Sequence, residues 1–255
     1  MKRILSILMM SVLVLTGCGT ASEPQQPEPE VTASPEAVPT ETAEPAEEET
    51  HGELLYLGHA SLRITTPEGK VIYLDPYAPG NYERSADLIL VTHDHYDHNA
   101  VGLVEARRED CRVITAAEAL SGGTHQTFDL GEVTVEAVEA GNNPNHSITE
   151  CVGYVLTLSD GTVIYISGDT STTDQMAELA DKDIDYAFFC CDGQYNMDLA
   201  EAGQCADLVN ARHVIPYHTV VADGVYFDRD RADAFPSENL LIIEPGETIS
   251  LTHGE

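Results

Sequence analysis

An apolar run that breaks off into a cluster of imidazoles limits what this chain can fold into. Asp87-Leu88-Ile89-Leu90-Val91 is short and nearly continuously apolar, the pattern of a strand covered on both faces. His93-Asp94-His95-Tyr96-Asp97-His98 follows almost at once and brings three imidazoles and the Asp97 carboxylate within six residues. A loop leaving a strand end turns alternate side chains inward, and a rigid scaffold holds such loops in place. Imidazole nitrogen and carboxylate oxygen are donors that borderline metals such as zinc accept at about 2.0–2.2 Å. His93 and His95, two residues apart, suit one ion, while Asp97 and His98 reach a second. A solvated loop or an unspecific His-rich tract is the plain alternative. The buried run immediately upstream argues against it.

The flanking sequence supplies strands on both sides of this loop. Leu54–Leu57, Ser61–Thr65 and Val71–Leu74 read as strands, the last two joined through the Pro67-Glu68-Gly69 turn. A helix is expected over Asn99–Arg108, then strands at Val113-Ile114, Val133–Val138 and Val152–Leu158. Ser159-Asp160-Gly161 turns the chain into Val163–Ile166, the clearest hairpin. Helices are expected at Thr173–Leu179 and Asp198–Val209, the latter with Leu199, Ala202, Ala206 and Val209 on one face. Further strands are expected at Ile184–Phe189, Val214-Ile215, Leu240–Ile243 and near Ile249. Hairpins followed by strand–helix–strand units point to mixed sheets covered by helices.

Three later segments also place a ligand-type residue just beyond or just before a strand: Asn145-His146-Ser147, Ser167-Gly168-Asp169-Thr170 and Ile215-Pro216-Tyr217-His218. Together with His-x-His-x-Asp-His after a strand, this order resembles the metallo-β-lactamase superfamily across roughly Leu54–Leu251. The resemblance implies an α/β fold, an αββα four-layer sandwich. It also implies one metal ion on His93, His95 and His146, a second on Asp97, His98 and His218, and Asp169 bridging the two. Leu57-Gly58-His59-Ala60-Ser61, Leu74-Asp75-Pro76-Tyr77 and Asp192-Gly193-Gln194-Tyr195-Asn196-Met197 look most like the branch of ascorbate-6-phosphate lactonase and related metal-dependent hydrolases. His59 is either a contact at the mouth of the site or a structural histidine. Asp75 either fixes the tautomer of a ligand imidazole or is a turn residue before Pro76. Cys191 reads as a buried thiol, and His51, His125, His213 and His253 have no motif context.

The two ends of the chain differ in composition. Lys2 and Arg3 precede an apolar stretch from Ile4 to Leu15, too short for a comfortable bilayer span and typical of a secretory signal over residues 1–17. Leu15-Thr16-Gly17-Cys18 resembles the lipobox of bacterial lipoproteins, which implies acylation of Cys18 and anchoring at the extracytoplasmic face of the cell membrane. Residues 18–50 are rich in Pro, Glu, Thr, Ala and Ser and carry no basic residue, so they form a disordered acidic linker. Residues 51–255 form the hydrolase-like domain. The formal net charge of −32 repels polyanions and excludes nucleic acid as a natural partner. Besides Cys18 there are five cysteines at irregular spacing, with no C-x-x-C signature, which is not a disulfide framework.

The chemistry expected is that of a metal-dependent hydrolase acting on a small molecule. Two divalent ions, zinc first and manganese or iron also compatible with these ligands, would share a water and make hydroxide available for attack on an ester or lactone. Asp97, Asp169 and His59 are the residues expected to act in catalysis. The rivals are phosphodiester hydrolysis, iron-based redox chemistry and a non-enzymatic metal-delivery lipoprotein. The acidic surface speaks against RNA substrates, the intact ligand set against redox chemistry, and the bridging Asp169 against simple delivery.

Overall fold

The computed structural model describes residues 50–222 and 224–255. The apolar leader, Cys18 and nearly all of the acidic linker lie outside the described residues. The strands are β1 (Gly52–Gly58), β2 (Ser61–Thr65), β3 (Val71–Leu74), β4 (Ala86–Leu90), β5 (Arg107–Ile114), β6 (Thr127–Asp129) and β7 (Val133–Glu139). They continue with β8 (Val152–Leu158), β9 (Val163–Ile166), β10 (Tyr186–Cys190), β11 (His213–Tyr217) and β12 (Thr248–Leu251). Two six-stranded sheets result, ordered β12-β1-β2-β3-β4-β5 and β11-β10-β9-β8-β7-β6. In each sheet three neighbouring strands are parallel, β3-β4-β5 in one and β9-β10-β11 in the other, and the remaining pairs are antiparallel.

Side-chain alternation sorts the first sheet into two buried faces. Leu54 and Tyr56 of β1, Ile72 and Leu74 of β3, and Leu88 and Leu90 of β4 join Val135, Tyr154, Leu156 and Ile164 of the second sheet in one core. The intervening Leu55, Leu57, Val71, Tyr73 and Ile89 form a smaller cluster on the opposite face. That division is the period-two geometry of a strand. It explains why these strands read as continuous apolar runs.

Helix α1 (Ala116–Ala119) is one turn, α2 (Leu199–Val209) is the longest, and α3 (Arg229–Asp233) is short. The Asp198 carboxylate caps α2 by accepting from the Glu201 amide at 2.9 Å. Asn210 ends the helix in a left-handed conformation. Ala202, Cys205, Ala206 and Val209 are its buried face. Two mixed sheets with helices are the expected architecture, the metallo-β-lactamase fold.

Three elements differ from expectation. The helix expected over Asn99–Arg108 is a single 3-10 turn, Val101–Leu103, and Arg107 already opens β5. Gly102 and the β-branched Val101 and Val104 make this a weak helix former, and one turn suffices to bury Val104 in the outer cluster. The segment expected to be helical from Thr173 is a 3-10 helix, Asp174–Lys182. Its buried residues, Met176 and Leu179, are three apart and so eclipse on that helix. Leu240–Ile243 is not a strand. It makes one parallel bridge, Val214 to Leu240, and then departs.

Candidate metal centre

The parallel strands of both sheets deliver their carboxyl ends to one place, the position where open α/β sheets bind ligands. Asp75 follows β3, His93–His98 follow β4, Asp169 follows β9, Asp192 follows β10 and His218 follows β11. Backbone bonds stitch the two sheets together there: the Val152 amide donates to the Thr92 carbonyl at 2.9 Å and the His218 amide to that of His59 at 2.8 Å. His59, Asp75 and His218 all take positive φ, at 52°, 43° and 44°. Such backbone is costly for non-glycine residues and persists only where its surroundings over-determine it.

The seven expected ligands converge. His93, His95 and His146 offer atoms within 4.8 Å of one another, as do His59, Asp97, His98 and His218, and also His93, His98 and Asp169. Asp169 touches both sides, with Oδ2 at 3.3 Å from His146 Nε2 and from His218 Nε2, and Oδ1 at 3.4 Å from His98 Nε2. These are poor hydrogen bonds. His93 Nε2, His98 Nε2, His218 Nε2 and Asp169 Oδ1 are all buried without a hydrogen-bond partner. Leaving so many polar atoms unpaired costs several kcal/mol, unless a cation is their natural partner. Two donors, each about 2.0–2.1 Å from one tetrahedral ion, stand roughly 3.3–3.4 Å apart. The spacing around Asp169 therefore fits donors aimed at shared cations, and the cluster is able to bind metal.

Outer contacts aim the imidazoles. His98 Nδ1 donates to Asp75 Oδ2 at 2.8 Å, which leaves Nε2 facing Asp169. Thr92 Oγ1 donates to the same Asp75 oxygen at 2.7 Å and lies 3.0 Å from His93 Nδ1, whose proton it accepts. Asp75 thus steers one imidazole from each expected ion site, directly and through Thr92. Asn143 Oδ1 lies 3.2 Å from His146 Nδ1. Asn196 Nδ2 donates to Asp169 Oδ2 and to Asp192 Oδ2, each at 2.8 Å. Asp192 Oδ1 in turn accepts from the amides of Gln194 and Tyr195, which fixes the loop presenting Asn196.

The charges in the centre are strongly coupled. Burial opposes ionisation of Asp169, but the His218 and His98 imidazoles outweigh it and hold the carboxyl well below the usual range. Burial likewise opposes a charged His98, yet Asp169 and Asp75 raise it well above an ordinary imidazole. Burial lowers His59 to about 4, assisted by neighbouring His218 and opposed by its bond to Asp97. Burial also pushes the Cys151 and Cys191 thiols up to about 12, so neither supplies a thiolate nucleophile.

His59 is not at the mouth of the site. It is 0% exposed, with Nε2 at 3.2 Å from Asp97 Oδ2 and its ring 3.7 Å from that of His218. Of the histidines without motif context, His213 stacks on Tyr186 and His253 bonds the buried Asp185, both away from the cluster. The described cysteines, Cys111, Cys151, Cys190, Cys191 and Cys205, are all free. Thr92, Asn143 and Asn196 were not singled out as supports by the sequence reading. Only Asn196 carried a signal, through its place in the Asp192–Met197 motif.

A family model described as the beta-lactamase superfamily domain matches residues 53–218, from the first strand to the last ligand. That sets the class. A UPF0173 metal-dependent hydrolase from Pyrococcus furiosus is 32% identical over 225 residues, covering 77% of this chain and 98% of the relative. Another from Anaeromyxobacter dehalogenans is 27% identical, covering 82% and 90%. The chain belongs to the UPF0173 metal-dependent hydrolase family. Igni18, a metallo hydrolase from Ignicoccus hospitalis, shares the fold at TM-score 0.62 and 20% identity, covering 79% of this chain and 98% of the other.

Proposed function

We propose that this metal-dependent hydrolase is binuclear and cleaves a small-molecule carboxylic ester or lactone, on a chain tethered to the cell membrane through Cys18. The observation that carries the binuclear reading is the Asp169 carboxylate, in contact with His146 on one side and with His98 and His218 on the other. On this reading His93, His95 and His146 hold one divalent ion, Asp97, His98 and His218 hold the second, and Asp169 serves both. When bound, such ions would make hydroxide available near neutral pH and would polarise the substrate's carbonyl oxygen. The protein's own residues do the positioning. Asp75 and Thr92 keep His98 and His93 in the tautomer whose Nε2 faces the cluster. Asn196 orients Asp169, and His59 orients Asp97.

Zinc, manganese and iron all suit this donor set. The test is to load the protein with each metal, count bound ions by elemental analysis and assay a panel of aryl esters, lactones and phosphodiesters. About two ions per chain and ester or lactone turnover abolished by a chelator are expected. Activity on phosphodiesters alone would overturn the substrate assignment. About one ion per chain or fewer after reconstitution would overturn the binuclear one.

A further inference from the structure

A cleft of about 830 Å³ opens beside the centre, lined by His93, His95 and His146 of the first expected ion site. That is a volume suited to a small-molecule ligand. Its lining also includes the apolar Val91, Val101, Val113, Ala116 and Leu120. Val101, Val113 and Leu120 are only half-buried, so they present apolar surface to whatever enters. The charged residues in the remaining lining are Asp94 and Glu150, and no lysine or arginine is among the lining residues. An anionic group entering here would meet carboxylates and find no cation other than the metal.

A second observation points the same way. Among the described residues the exposed large apolar side chains are Tyr96, Leu103, Ile148, Tyr195, Leu208 and Val225. Tyr96 adjoins His95, Leu103 closes the turn holding Val101, Ile148 is two residues from His146, and Tyr195 adjoins Asn196. The loops that carry the expected ligands thus bear exposed apolar side chains as well.

From this lining we infer that the substrate carries a compact apolar group, seated against Val101, Val113 and Leu120, and no anionic group in this cleft. Uncharged or cationic substrates fit, and phosphorylated ones do not. The inference rests on the hydrolase reading above but specifies a recognition element, not a reaction. It therefore admits a test that needs no turnover.

The probes are linear alkyl hydroxamates of increasing chain length, and matched hydroxamates whose far end carries a phosphonate, titrated into the metal-loaded protein. Affinity is expected to rise by about threefold to fourfold per added methylene over the first several carbons, the value of burying one such group. The phosphonate-ended probes should bind at least about tenfold more weakly than their alkyl counterparts. Leu120→Asn should flatten the chain-length dependence, and Glu150→Lys should narrow the gap between phosphonate and alkyl probes. Metal content and thermal unfolding of each variant show that it is folded. Affinity independent of chain length, or a preference for the phosphonate, overturns the inference even in an active esterase. The expected binding pattern without ester or lactone turnover supports it while overturning the reaction proposed above.

Discussion

Single side chains in this centre carry separable duties. Asp169 is the group in contact with imidazoles of both expected ion sites, whereas Asp75 supports them from behind, bonding His98 Nδ1 and Thr92 Oγ1. Asp169→Asn keeps the size and removes the charge, so a fall in kcat of at least about a hundredfold with little change in KM is expected, the pattern of an interaction made mainly in the transition state. Asp75→Asn should instead weaken metal binding by about ten- to a hundredfold. It should act on both ions, because Asp75 supports His98 directly and His93 through Thr92. Saturating metal should then restore much of the turnover in Asp75→Asn and little in Asp169→Asn. Metal titrations read by competition with a chromogenic chelator, run beside the kinetics, separate the two. Equal rescue of both variants would remove the distinction drawn between them.

At the scale of elements, the turn between β9 and Asp169 leaves no room for a side chain. Gly168 has a φ of +62°, and a Cβ there would lie 2.7 Å from the Val152 carbonyl oxygen and 3.2 Å from Thr92 Cβ. Gly168→Ala is expected to cost roughly 1–3 kcal/mol in backbone strain alone and to push Asp169 away from His146 and His218. A fall in Tm of several degrees together with reduced metal content would show it, and an unchanged metal content would contradict the argument. This is also the scale at which sequence reading is uneven. His93, His95, Asp97 and His98 were legible because four ligand-type residues crowd one loop after a run of unmistakable strand character. Thr92 and Asn196 were not, because Thr92 reaches Asp75 and Asn196 reaches Asp169 only across the fold, and Asn143, three residues before His146, reads as an ordinary turn residue. The helix expected over Asn99–Arg108 is one turn because Gly102, Val101 and Val104 form helix weakly and that turn already buries Val104. The short β6 offers three residues, too few for any periodic signal.

For the molecule as a whole, the expected ligands arrive from loops of both sheets, His93, His95, Asp97 and His98 from the first and His146, Asp169 and His218 from the second. Metal should therefore clamp one sheet to the other, and chelation should lower the unfolding temperature as well as abolish activity, since an ion that binds only the folded state stabilises it. Equal melting temperatures with and without chelator would show that the sheets need no such clamp. The described residues contain no helix long and apolar enough to cross a membrane, and the anchor proposed above is Cys18. Fatty-acid labelling of cells making the whole chain should mark the protein and should fail in Cys18→Ser. Unchanged labelling of that variant would remove the anchor.

The pairing of β1 with β12, Gly52 opposite Leu251, sets the described domain's first and last strands side by side at one sheet edge. In connectivity the domain is close to a ring that happens to be open at that edge. A short linker joining residue 251 to residue 52, with new ends cut in the exposed Ser121–Gly123 turn between the strands of the two sheets, should leave every strand pairing intact. The order in which the expected ligands are encountered along the chain would be inverted by halves, with His146, Asp169 and His218 preceding His93, His95, Asp97 and His98. Such a rearranged chain should bind metal as the parent domain does, because the centre is defined by where strand ends meet in space and not by their succession in the polypeptide.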